Sequence, residues 1–304
     1  MIYDVIVVGG GPAGMTAALY ALRNGKSVLV IEKEGFGGQI THSPRVENFP
    51  GTAVMSGNEF ADRLFDQIVG QGAEFEIETV SQIVDGPVKT VKTEEGTEHE
   101  GRTVILATGV KHRMLGLEGE ADLVGEGISF CAVCDGDFYK GKTVCMAGGG
   151  NSALQEAILL AGKCEKVIIL QDLPQLTGEV KLQEVLNRQN NVEVHTGVRI
   201  IGLETDNGEF CGVRTRDNAT GEETIYTADG LFVAIGLIPE NDAFAALADL
   251  DVRGYFDTDE YCVTKTPGIY VAGDCRRKNV RQLTTAVADG ATAALAACRY
   301  IDEQ

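Results

Sequence analysis

Residues 2–14 read IYDVIVVGGGPAG, and this stretch decides the fold. A continuous apolar strand runs into a glycine-rich turn, and an apolar-periodic helix, Met15 to Asn24, follows the turn. A second strand, Ser27 to Ile31, then closes on Glu32. A GxGxxG motif alone is a weak signal. A strand, this turn, a helix, a strand and an acidic residue within about 30 residues are typical of a dinucleotide-binding unit.

Each residue type in this unit has a physical task. Gly9 makes the tight turn, Gly11 lets the backbone approach a pyrophosphate at the helix N-terminus, and Gly14 lets helix and strand pack closely. Glu32, 18 residues after Gly14, can accept a hydrogen bond from a ribose hydroxyl. A glycine-rich turn without a ligand is the simpler alternative, and the complete context disfavours it.

A second unit of the same kind lies in the middle of the chain. The strand from Lys142 to Ala147 leads into a GxGxxA turn at residues 148–153, and a helix from Leu154 to Ala161 follows. The next strand runs from Lys166 to Leu170. The chain therefore contains an internal duplication, which predicts an α/β protein with two Rossmann-like nucleotide-binding domains.

The composition limits the choice of partners. The chain has 304 residues, enough for two domains, and a formal net charge of −19. Such a surface repels nucleic acid and anionic lipid, so neither is an expected partner. The N-terminus has no basic lead and no apolar run approaches the roughly 20 residues that span a bilayer. We therefore expect a cytoplasmic protein without a membrane segment.

Two of the eight cysteines are close in sequence, Cys131 and Cys134 of the pentapeptide CAVCD. Half a zinc site is one interpretation of such a pair, but the sequence offers no second CxxC or nearby histidine pair to complete the ligands, and no metal is expected. A thiol pair between two nucleotide units instead indicates electron transfer from a cofactor into a disulfide. The other six cysteines are expected to be small buried hydrophobic residues: Cys145, Cys164, Cys211, Cys262, Cys275 and Cys298.

The order of these motifs resembles the low-molecular-weight flavoprotein thioredoxin reductases along essentially the whole chain. The CxxCD sequence just before the second glycine turn is the most specific element of the resemblance. The other matching motifs are GxGxxG, Asn48-Phe49-Pro50-Gly51, Ala107-Thr108-Gly109, GGGxSA, Gly273-Asp274 and Arg281-Gln282.

The resemblance implies a three-layer ββα FAD-binding domain formed by residues 1–113 and 241–304. A smaller domain of the pyridine-nucleotide type, residues 114–240, is inserted into it and carries the cysteine pair. Family members are homodimers that reduce thioredoxin. The implied FAD contacts are Gly9, Gly11, Pro12, Ala13, Gly14, Glu32, Lys33, Gly38, Gln39, Asn48, Val80, Ala107, Gly109, Asp274, Arg281 and Gln282.

The resemblance also assigns roles in the redox chemistry. Cys134 would lie against the flavin and take its electrons, and Cys131 would attack the disulfide of the partner. Asp135 matches the acid that carries protons to and from the thiols. We expect the pair to stand at the start of a helix, whose dipole stabilises one thiolate.

The donor side departs from the pattern of the NADPH-dependent members. Those members carry a His-Arg-Arg run and a further Arg that bind the 2′-phosphate, whereas this chain has Gln171-Asp172-Leu173 and Thr177. Asp172 would repel a phosphate. A clostridial branch of the family shares the CAVC sequence, also lacks the basic motif, and uses ferredoxin as its donor. The main prediction is therefore reduced ferredoxin.

Two alternatives to a ferredoxin donor stay open. Asp172, 19 residues after Ala153, could bind the 2′-hydroxyl of NADH, which would make the protein NADH-dependent. NADPH is less favoured. The chain could also be a non-catalytic flavin redox sensor, although the intact cysteine pair and Asp135 argue against this.

An acidic ferredoxin would need a local cationic patch on this acidic protein. The sequence offers Arg276-Arg277-Lys278 together with Arg281, and Lys111, His112 and Arg113 could extend the patch. A solvated charge run is the simpler interpretation of these residues.

Overall fold

The computed structural model describes residues 1–43 and 46–304, which form two compact units. Unit 1 consists of Met1–Lys111 and Ile238–Gln304, and unit 2 consists of His112–Leu237. Both changes of unit lie a few residues before the domain boundaries expected from the sequence.

The strands are numbered along the chain. They are β1 Ile2–Val8, β2 Val28–Glu32, β3 Glu74–Ile77, β4 Val80–Val84, β5 Lys89–Thr93, β6 Glu98–Leu106, β7 Lys111–His112, β8 Ile128–Ser129, β9 Thr143–Ala147, β10 Lys166–Gln171, β11 Val192–Thr196, β12 Val198–Asp206, β13 Glu209–Asp217, β14 Glu223–Thr227, β15 Gly230–Val233, β16 Leu237–Ile238 and β17 Ile269–Val271. The α-helices are α1 Pro12–Arg23, α2 Gly57–Val69, α3 Ala132–Asp135, α4 Asn151–Ala161, α5 Val180–Leu186 and α6 Leu283–Asp302. Short 3₁₀ helices are Gly38–His42, Ala121–Leu123, Gly136–Tyr139 and Asp242–Phe244.

Unit 1 is built on a seven-stranded sheet in the order β3-β2-β1-β6-β5-β4, with β17 paired to β6. The strands β3, β2, β1, β6 and β17 run parallel, whereas β4, β5 and β6 form an antiparallel meander. The long strand β6 serves both parts, because its first half pairs with β5 and its second half with β17. Parallel strands followed by helices place the loops at their carboxyl ends on one edge of the sheet.

Helices α1 and α6 pack on this sheet. Helix α1 begins at Pro12, three residues before the expected start, because proline suits the first helical position and Gly11 is the extended N-cap. A β-carbon at Gly290 of α6 would overlap the carbonyl oxygen of Ala13, so glycine alone allows this close approach. Apolar residues of α1, including Met15, share one buried cluster with the C-terminal half of α6.

Unit 2 contains a five-stranded parallel sheet in the order β11-β10-β9-β15-β8 and a separate antiparallel sheet of β12, β13 and β14. Helix α4 begins at Asn151, directly after the second glycine turn, rather than at Leu154. The two short strands β7 and β16 pair where the chain passes between units. The α/β fold with Rossmann-like parallel sheets is confirmed. No helix within residues 1–43 and 46–304 is long and apolar enough to cross a membrane.

Candidate redox-active site

The first glycine turn is closed by contacts that only glycine permits. Gly9 has φ +111°, and a β-carbon there would overlap the carbonyl oxygen of Ala107 at the end of β6. A β-carbon at Gly14 would overlap the carbonyl oxygen of Gly9 and crowd Val7 at 3.1 Å. The turn therefore lies tightly against the carboxyl ends of β1 and β6.

The outer side of the same turn faces a second glycine pair. The N–H of Gly37 donates to the carbonyl oxygen of Gly10 at 2.9 Å. A β-carbon at Gly38 would lie 3.2 Å from the Cα of Gly11, whereas one at Gly11 would meet no atom closer than 4.0 Å. The Gly11 backbone is therefore open on its outer side, which suits the approach of a phosphate group at the start of α1.

Glu32 holds the turn from the end of β2. Its Oε2 accepts the N–H of Gly10 at 2.6 Å, and its Oε1 accepts the N–H of Glu34 at 3.0 Å. Each carboxylate oxygen keeps a lone pair that could accept a ribose hydroxyl. Lys33, the next residue, is engaged differently, since its ammonium group pairs with Glu240.

Asp274 and Arg281 lie after β17. The guanidinium group of Arg281 donates to the carbonyl oxygens of Asp274 (3.1 Å), Arg276 (3.0 Å) and Lys278 (3.1 Å). The Oδ1 of Asp274 is buried and accepts no hydrogen bond from residues 1–43 and 46–304, although the Lys278 ammonium is 3.0 Å away. An acceptor of this kind suits a hydroxyl group of a bound ligand.

A β-carbon at Gly273 would lie 2.8 Å from the Cβ of Ala13, so this segment touches the first turn of α1. The structure thereby places most of the predicted FAD contacts along one edge of the unit 1 sheet: Gly9, Gly11, Pro12, Ala13, Gly14, Glu32, Gly38, Ala107 and Asp274. Gly37, Gly273 and Gly290 take part in the packing of this edge and were not among the predicted FAD contacts, although their residue type was a signal.

The remaining predicted contacts lie at other points of unit 1. The Nδ2 of Asn48 donates to the Oε1 of Gln282, the N-cap of α6, at 3.2 Å. Gln39 is exposed on a 3₁₀ helix, and Gly109 has φ +66° with open space beside it. Val80 begins β4, and no hydrogen bond joins it to the glycine turn in the described part of the chain.

The cysteine pair of unit 2 forms a disulfide. Cys131 and Cys134 have Cα atoms 5.3 Å apart, and both residues are half-buried. Cys131 is the N-cap of α3, and its Sγ accepts the N–H of Cys134 at 3.2 Å. Helix α3 has only four residues, so the expected helix dipole is weak. The N–H of Cys134 is therefore the local group that stabilises negative charge on the Cys131 sulfur.

Asp135 is buried beneath the pair. Its Oδ2 accepts a hydrogen bond from the hydroxyl of Ser129 at 2.6 Å, and its Oδ1 is buried without a hydrogen-bond partner among the residues that the structure describes. Burial raises the pKa of this carboxyl group, and the hydrogen bond from Ser129 opposes the rise. The Ser129 hydroxyl also accepts the N–H of Cys131 at 3.1 Å, so a single side chain connects the acid to the redox pair.

A second carboxyl group, Glu156 on α4, was missed from the sequence. Its Oε2 accepts the N–H of Ala132 at 3.2 Å. Burial, together with the charge of Asp135, raises the pKa of Glu156 to about 7, and the Ala132 hydrogen bond opposes this rise. Helical spacing was an available signal, because Glu156 stands three residues after buried Ala153 and four before buried Leu160.

The other cysteines are free thiols. Five of them are buried and Cys211 is partly exposed, in line with the expected packing role. Burial raises the pKa of Cys145 and Cys262 to about 12 and that of Cys164 to about 11, so these thiols are inert at neutral pH. Among residues 1–43 and 46–304, no cluster of three His, Cys, Asp or Glu side chains could hold a metal ion.

The second glycine turn lies between β9 and α4. Gly148 has φ +122°, and the N–H groups of Thr177 and Gly178 donate to the carbonyl oxygen of Gly149 at 2.8 and 2.9 Å. The segment after β10 thus folds over the turn. Residues 171–179 of this segment contain no Lys or Arg, and Asp172 in it is exposed.

The expected cationic patch is wrong for Arg276 and Lys278. Both are largely buried and pair with Asp289 of α6, at 2.7 Å for Arg276 and 3.2 Å for Lys278. Asp289 also accepts the N–H of Gly273 at 3.1 Å. Their charges are therefore used inside unit 1, which the sequence could not show because the pairing depends on how α6 packs beside this segment.

Two other cations of the expected patch are also engaged. Arg277 is exposed but pairs with Asp257 at 2.9 Å, and Lys111 lies within 3.6 Å of carboxylates of Glu34 and Glu240. The ring of His112 stacks on that of Phe130 at 4.5 Å.

Comparison with known proteins places this geometry in a family. Residues 3–290 match the model of the pyridine nucleotide-disulphide oxidoreductases. The thioredoxin reductase of Bacillus subtilis is 37% identical over 99% of this chain and 96% of its own. The chain belongs to the thioredoxin reductase family. The resemblance to low-molecular-weight thioredoxin reductases is thereby confirmed.

Further relatives support the family assignment. The chain is 36% identical to the thioredoxin reductase of Peptoclostridium acidaminophilum, over 99% of this chain and 98% of that one. The crystal structure of thioredoxin reductase from Streptococcus pyogenes superposes with a TM-score of 0.94 at 36% identity, covering 100% of this chain and 99% of that one. Thioredoxin reductases of this family are FAD-binding flavoproteins. The open Gly11 backbone fits that cofactor, as does Asp274 Oδ1, which faces Lys278 but accepts no hydrogen bond within the described residues.

Proposed function

We propose that this protein is a ferredoxin-dependent thioredoxin reductase, which passes electrons from reduced ferredoxin through FAD and the Cys131–Cys134 disulfide to thioredoxin. One observation carries the choice of donor. The segment at residues 171–179, which covers the second glycine turn, contains no cation and exposes the carboxylate of Asp172.

The electrostatics of this segment disfavour NADPH. The 2′-phosphate of NADPH needs cations after the second strand of such a unit, and guanidinium groups supply bidentate bonds there. At the end of β10 the chain offers Gln171, Asp172 and Leu173. Gln171 is buried, and its side chain fills the space beside Gly149. A phosphate would therefore meet a like charge with no compensating partner.

The residues of unit 1 would hold the flavin. FAD, when bound, lets one-electron donors supply the two electrons that open a disulfide. Gly11 would admit the pyrophosphate at the N-terminus of α1, and Glu32 would accept a ribose hydroxyl. Asp274 would accept a further hydroxyl through its buried Oδ1. Asn48, Gln282 and the other predicted contacts, Lys33 and Val80 among them, stay predictions.

The residues of unit 2 would carry out the thiol chemistry. Cys134 would receive electrons and Cys131 would attack the disulfide of thioredoxin. Buried Asp135 would hold and return the proton that the thiols exchange, and Ser129 would orient its carboxyl group. The half-buried position of Cys131 and the exposure of Val133 leave the pair accessible to a protein partner.

NADH dependence is the second candidate. It is favoured by the intact second turn, where Gly148 keeps its positive φ, and by the exposed carboxylate of Asp172 at the end of β10. An acidic residue at this place suits a 2′-hydroxyl group. Arg276, Arg277 and Lys278 are paired with carboxylates and do not offer a free docking patch. The ferredoxin proposal therefore rests on the segment at residues 171–179.

Anaerobic flavin spectra would test the proposal. We expect that a chemically reduced small bacterial ferredoxin bleaches the bound flavin and that thioredoxin is then reduced. NADPH should not bleach the flavin. Rapid bleaching by NADPH would refute the donor assignment, and bleaching by NADH alone would establish the second candidate. Reduction of the flavin without reduction of thioredoxin would indicate a redox sensor.

Three further features belong to the proposal. We propose that unit 1 is the FAD-binding domain and unit 2 the redox domain, that the protein is a homodimer, and that it acts in the cytoplasm. Analytical ultracentrifugation of the flavin-loaded protein tests the second of these, and a monomer at micromolar concentration would contradict it.

A further inference from the structure

Helix α4 connects the second glycine turn to the redox pair. Its buried face is apolar and consists of Ala153, Leu154, Ala157, Leu160 and Ala161. Glu156 is the one carboxylate in this helix, and its spacing from Ala153 and Leu160 turns it toward that face. Placing a carboxyl group in such a position costs free energy unless it is hydrogen-bonded or paired with a cation.

The contact of Glu156 is with the redox helix. Its Oε2 accepts the N–H of Ala132, the first residue of α3, and Ala132 is fully buried. Ala132 directly follows Cys131, which caps the same helix. A change in charge or position of this carboxyl group therefore acts on the turn that holds the disulfide.

Asp135 is the second carboxyl group at this turn. Its only hydrogen-bond donor in the described part of the chain is Ser129, and Glu156 likewise accepts from a neutral donor. The nearby cation Lys163 pairs with Asp137 at 2.9 Å. Asp135 is buried and Glu156 partly buried, and no cation pairs with either in the described part of the chain, so the two carboxyl groups cannot both ionise easily and together tend to retain a proton.

The other titratable groups here do not supply a positive charge. Tyr139 follows α3 and feels the charges of Asp135 and Asp229, and burial raises its pKa to about 12. Cys164, at the end of α4, also acts on Tyr139 and stays protonated at neutral pH.

We propose that Glu156 is a positioning residue of the redox site, which fixes the first turn of α3 and takes up a proton when the Cys131–Cys134 disulfide opens. The proposal rests on the thiol–disulfide function proposed above. It extends the proton-handling group from Asp135 alone to a pair of carboxyl groups.

Opening of the disulfide changes the number of protons bound at this site. Two electrons and one proton break the S–S bond and leave one thiolate and one thiol. The new negative charge raises the proton affinity of Glu156, which binds a proton from solvent. When both electrons and the thiol proton pass to the disulfide of a partner, which becomes a thiolate and a thiol, the S–S bond of Cys131 and Cys134 re-forms and Glu156 returns its proton to solvent.

A redox equilibrium would test this coupling. The full-length flavoprotein is equilibrated anaerobically in dithiothreitol buffers of known ratio, from about pH 5.5 to about pH 8.5, a range that spans the titration of a raised carboxyl group. The thiols are trapped with a maleimide and counted by mass spectrometry. Glu156→Gln keeps an acceptor for the Ala132 N–H but cannot ionise. The readout is the ratio of the reduction equilibrium constants of the variant and the wild type.

We expect this ratio to be near one at the acid end and to rise about three- to tenfold at the alkaline end, because ionised Glu156 repels the thiolate in the wild type alone. A ratio that stays constant with pH would overturn the proposal and leave Glu156 a purely structural role. Glu165→Gln, which removes an exposed carboxylate in the same unit, is the matched control and should stay near one throughout.

A second variant tests the proposal independently in case Glu156→Gln does not fold. Asp135→Asn removes the charge that raises the proton affinity of Glu156, so the inflection in the pH dependence should move toward acid. An unmoved inflection would contradict the proposal. Dithiothreitol replaces both the donor and thioredoxin in this experiment. The result therefore tests the role of Glu156 even if the donor is not ferredoxin.

Discussion

At the scale of single residues, the redox pair is held by its own backbone. The Cys131 Sγ accepts the Cys134 N–H, and Ser129 bonds both the Cys131 N–H and Asp135. The short helix α3 contributes little dipole, so the reactivity of the pair depends on these few local groups. Single substitutions here should change chemistry more than stability.

Cys131→Ser should abolish thioredoxin reduction and leave the flavin content unchanged. A serine hydroxyl can replace Sγ as the N-cap acceptor of α3, so the turn should persist, but it cannot form the disulfide. Flavin absorbance and insulin-coupled thioredoxin reduction measure the two effects. Cys211→Ser, at a partly exposed free thiol, is the control and should keep full activity. Loss of flavin from the Cys131 variant would instead reveal a structural role.

The raised pKa of Glu156 should make stability depend on pH. The folded-state pKa of about 7 lies above the ordinary 4.5, so the folded protein binds more protons than the unfolded chain between these values. The favourable contribution is complete below about pH 4.5 and is lost as the pH rises to about 7. Urea unfolding should show this decline in the wild type and a weaker one in Glu156→Gln. Parallel curves would contradict it.

The sequence could identify residues whose own type carries the chemistry. Gly9 and Gly14 follow from the strand–turn–helix pattern, and the cysteines from their spacing. Glu156 and Ser129 could not be assigned in this way, because their roles depend on hydrogen bonds formed only after folding. A glutamate on a helix is ordinarily a solvated residue.

At the scale of elements, helix α6 organises the predicted flavin edge of unit 1. Gln282 caps it, Gly290 lets it touch the first turn of α1, and Asp289 binds the segment after β17. That segment contains the basic run of the sequence, which was predicted to be a docking patch. A charge run shows its sign in the sequence but not its partners, and here the partner comes from the next helix.

Asp289→Ala should destabilise the protein by about 3 kcal/mol, because it leaves buried Arg276 without its carboxylate and leaves Lys278 with Asp274 alone. Urea unfolding of the flavin-loaded protein would measure the loss. Asp257→Ala, which removes the partner of exposed Arg277, is the control and should cost less than about 1 kcal/mol. Equal effects of the two variants would show that the Asp289 cluster is not a buried network.

The segment after β10 should decide the use of NADPH. Asp172→Arg combined with Leu173→Arg replaces two exposed residues by cations and should create a site for the 2′-phosphate. We expect NADPH to bleach the flavin of the double variant and not that of the wild type. Asp206→Arg in the same unit is the charge control. Failure of the double variant alone to gain NADPH binding would mean that the segment is not the limiting feature.

At the scale of the whole molecule, the chain is divided unequally. Unit 2 is one continuous stretch, whereas unit 1 combines both ends of the chain. The duplication of glycine turns predicted two nucleotide-binding folds, and the parallel sheets bear this out. The antiparallel sheet of β12, β13 and β14 has no counterpart in the duplicated pattern, so sequence repetition alone could not place it.

Residues 112–237 should fold when expressed alone. Their parallel sheet and buried clusters are complete within this stretch. We expect a cooperative thermal transition, an intact Cys131–Cys134 disulfide and no bound flavin. Circular dichroism, mass spectrometry of alkylated thiols and absorbance would test these points. Flavin bound to the isolated stretch would contradict the proposed assignment of FAD to unit 1.

Strand β6 sets an order of events during synthesis. Its second half cannot pair with β17 until β17 has left the ribosome, more than a hundred and fifty residues later. Helix α6 follows as the last element of the chain. Until then the second half of β6 is paired only with β1, its other edge is open, and α1 lacks its packing partner α6. Unit 2 can mature on the ribosome while unit 1 is still incomplete. A nascent chain stalled before residue 269 would therefore carry a finished disulfide module attached to an exposed, unfinished sheet, a natural substrate for chaperones.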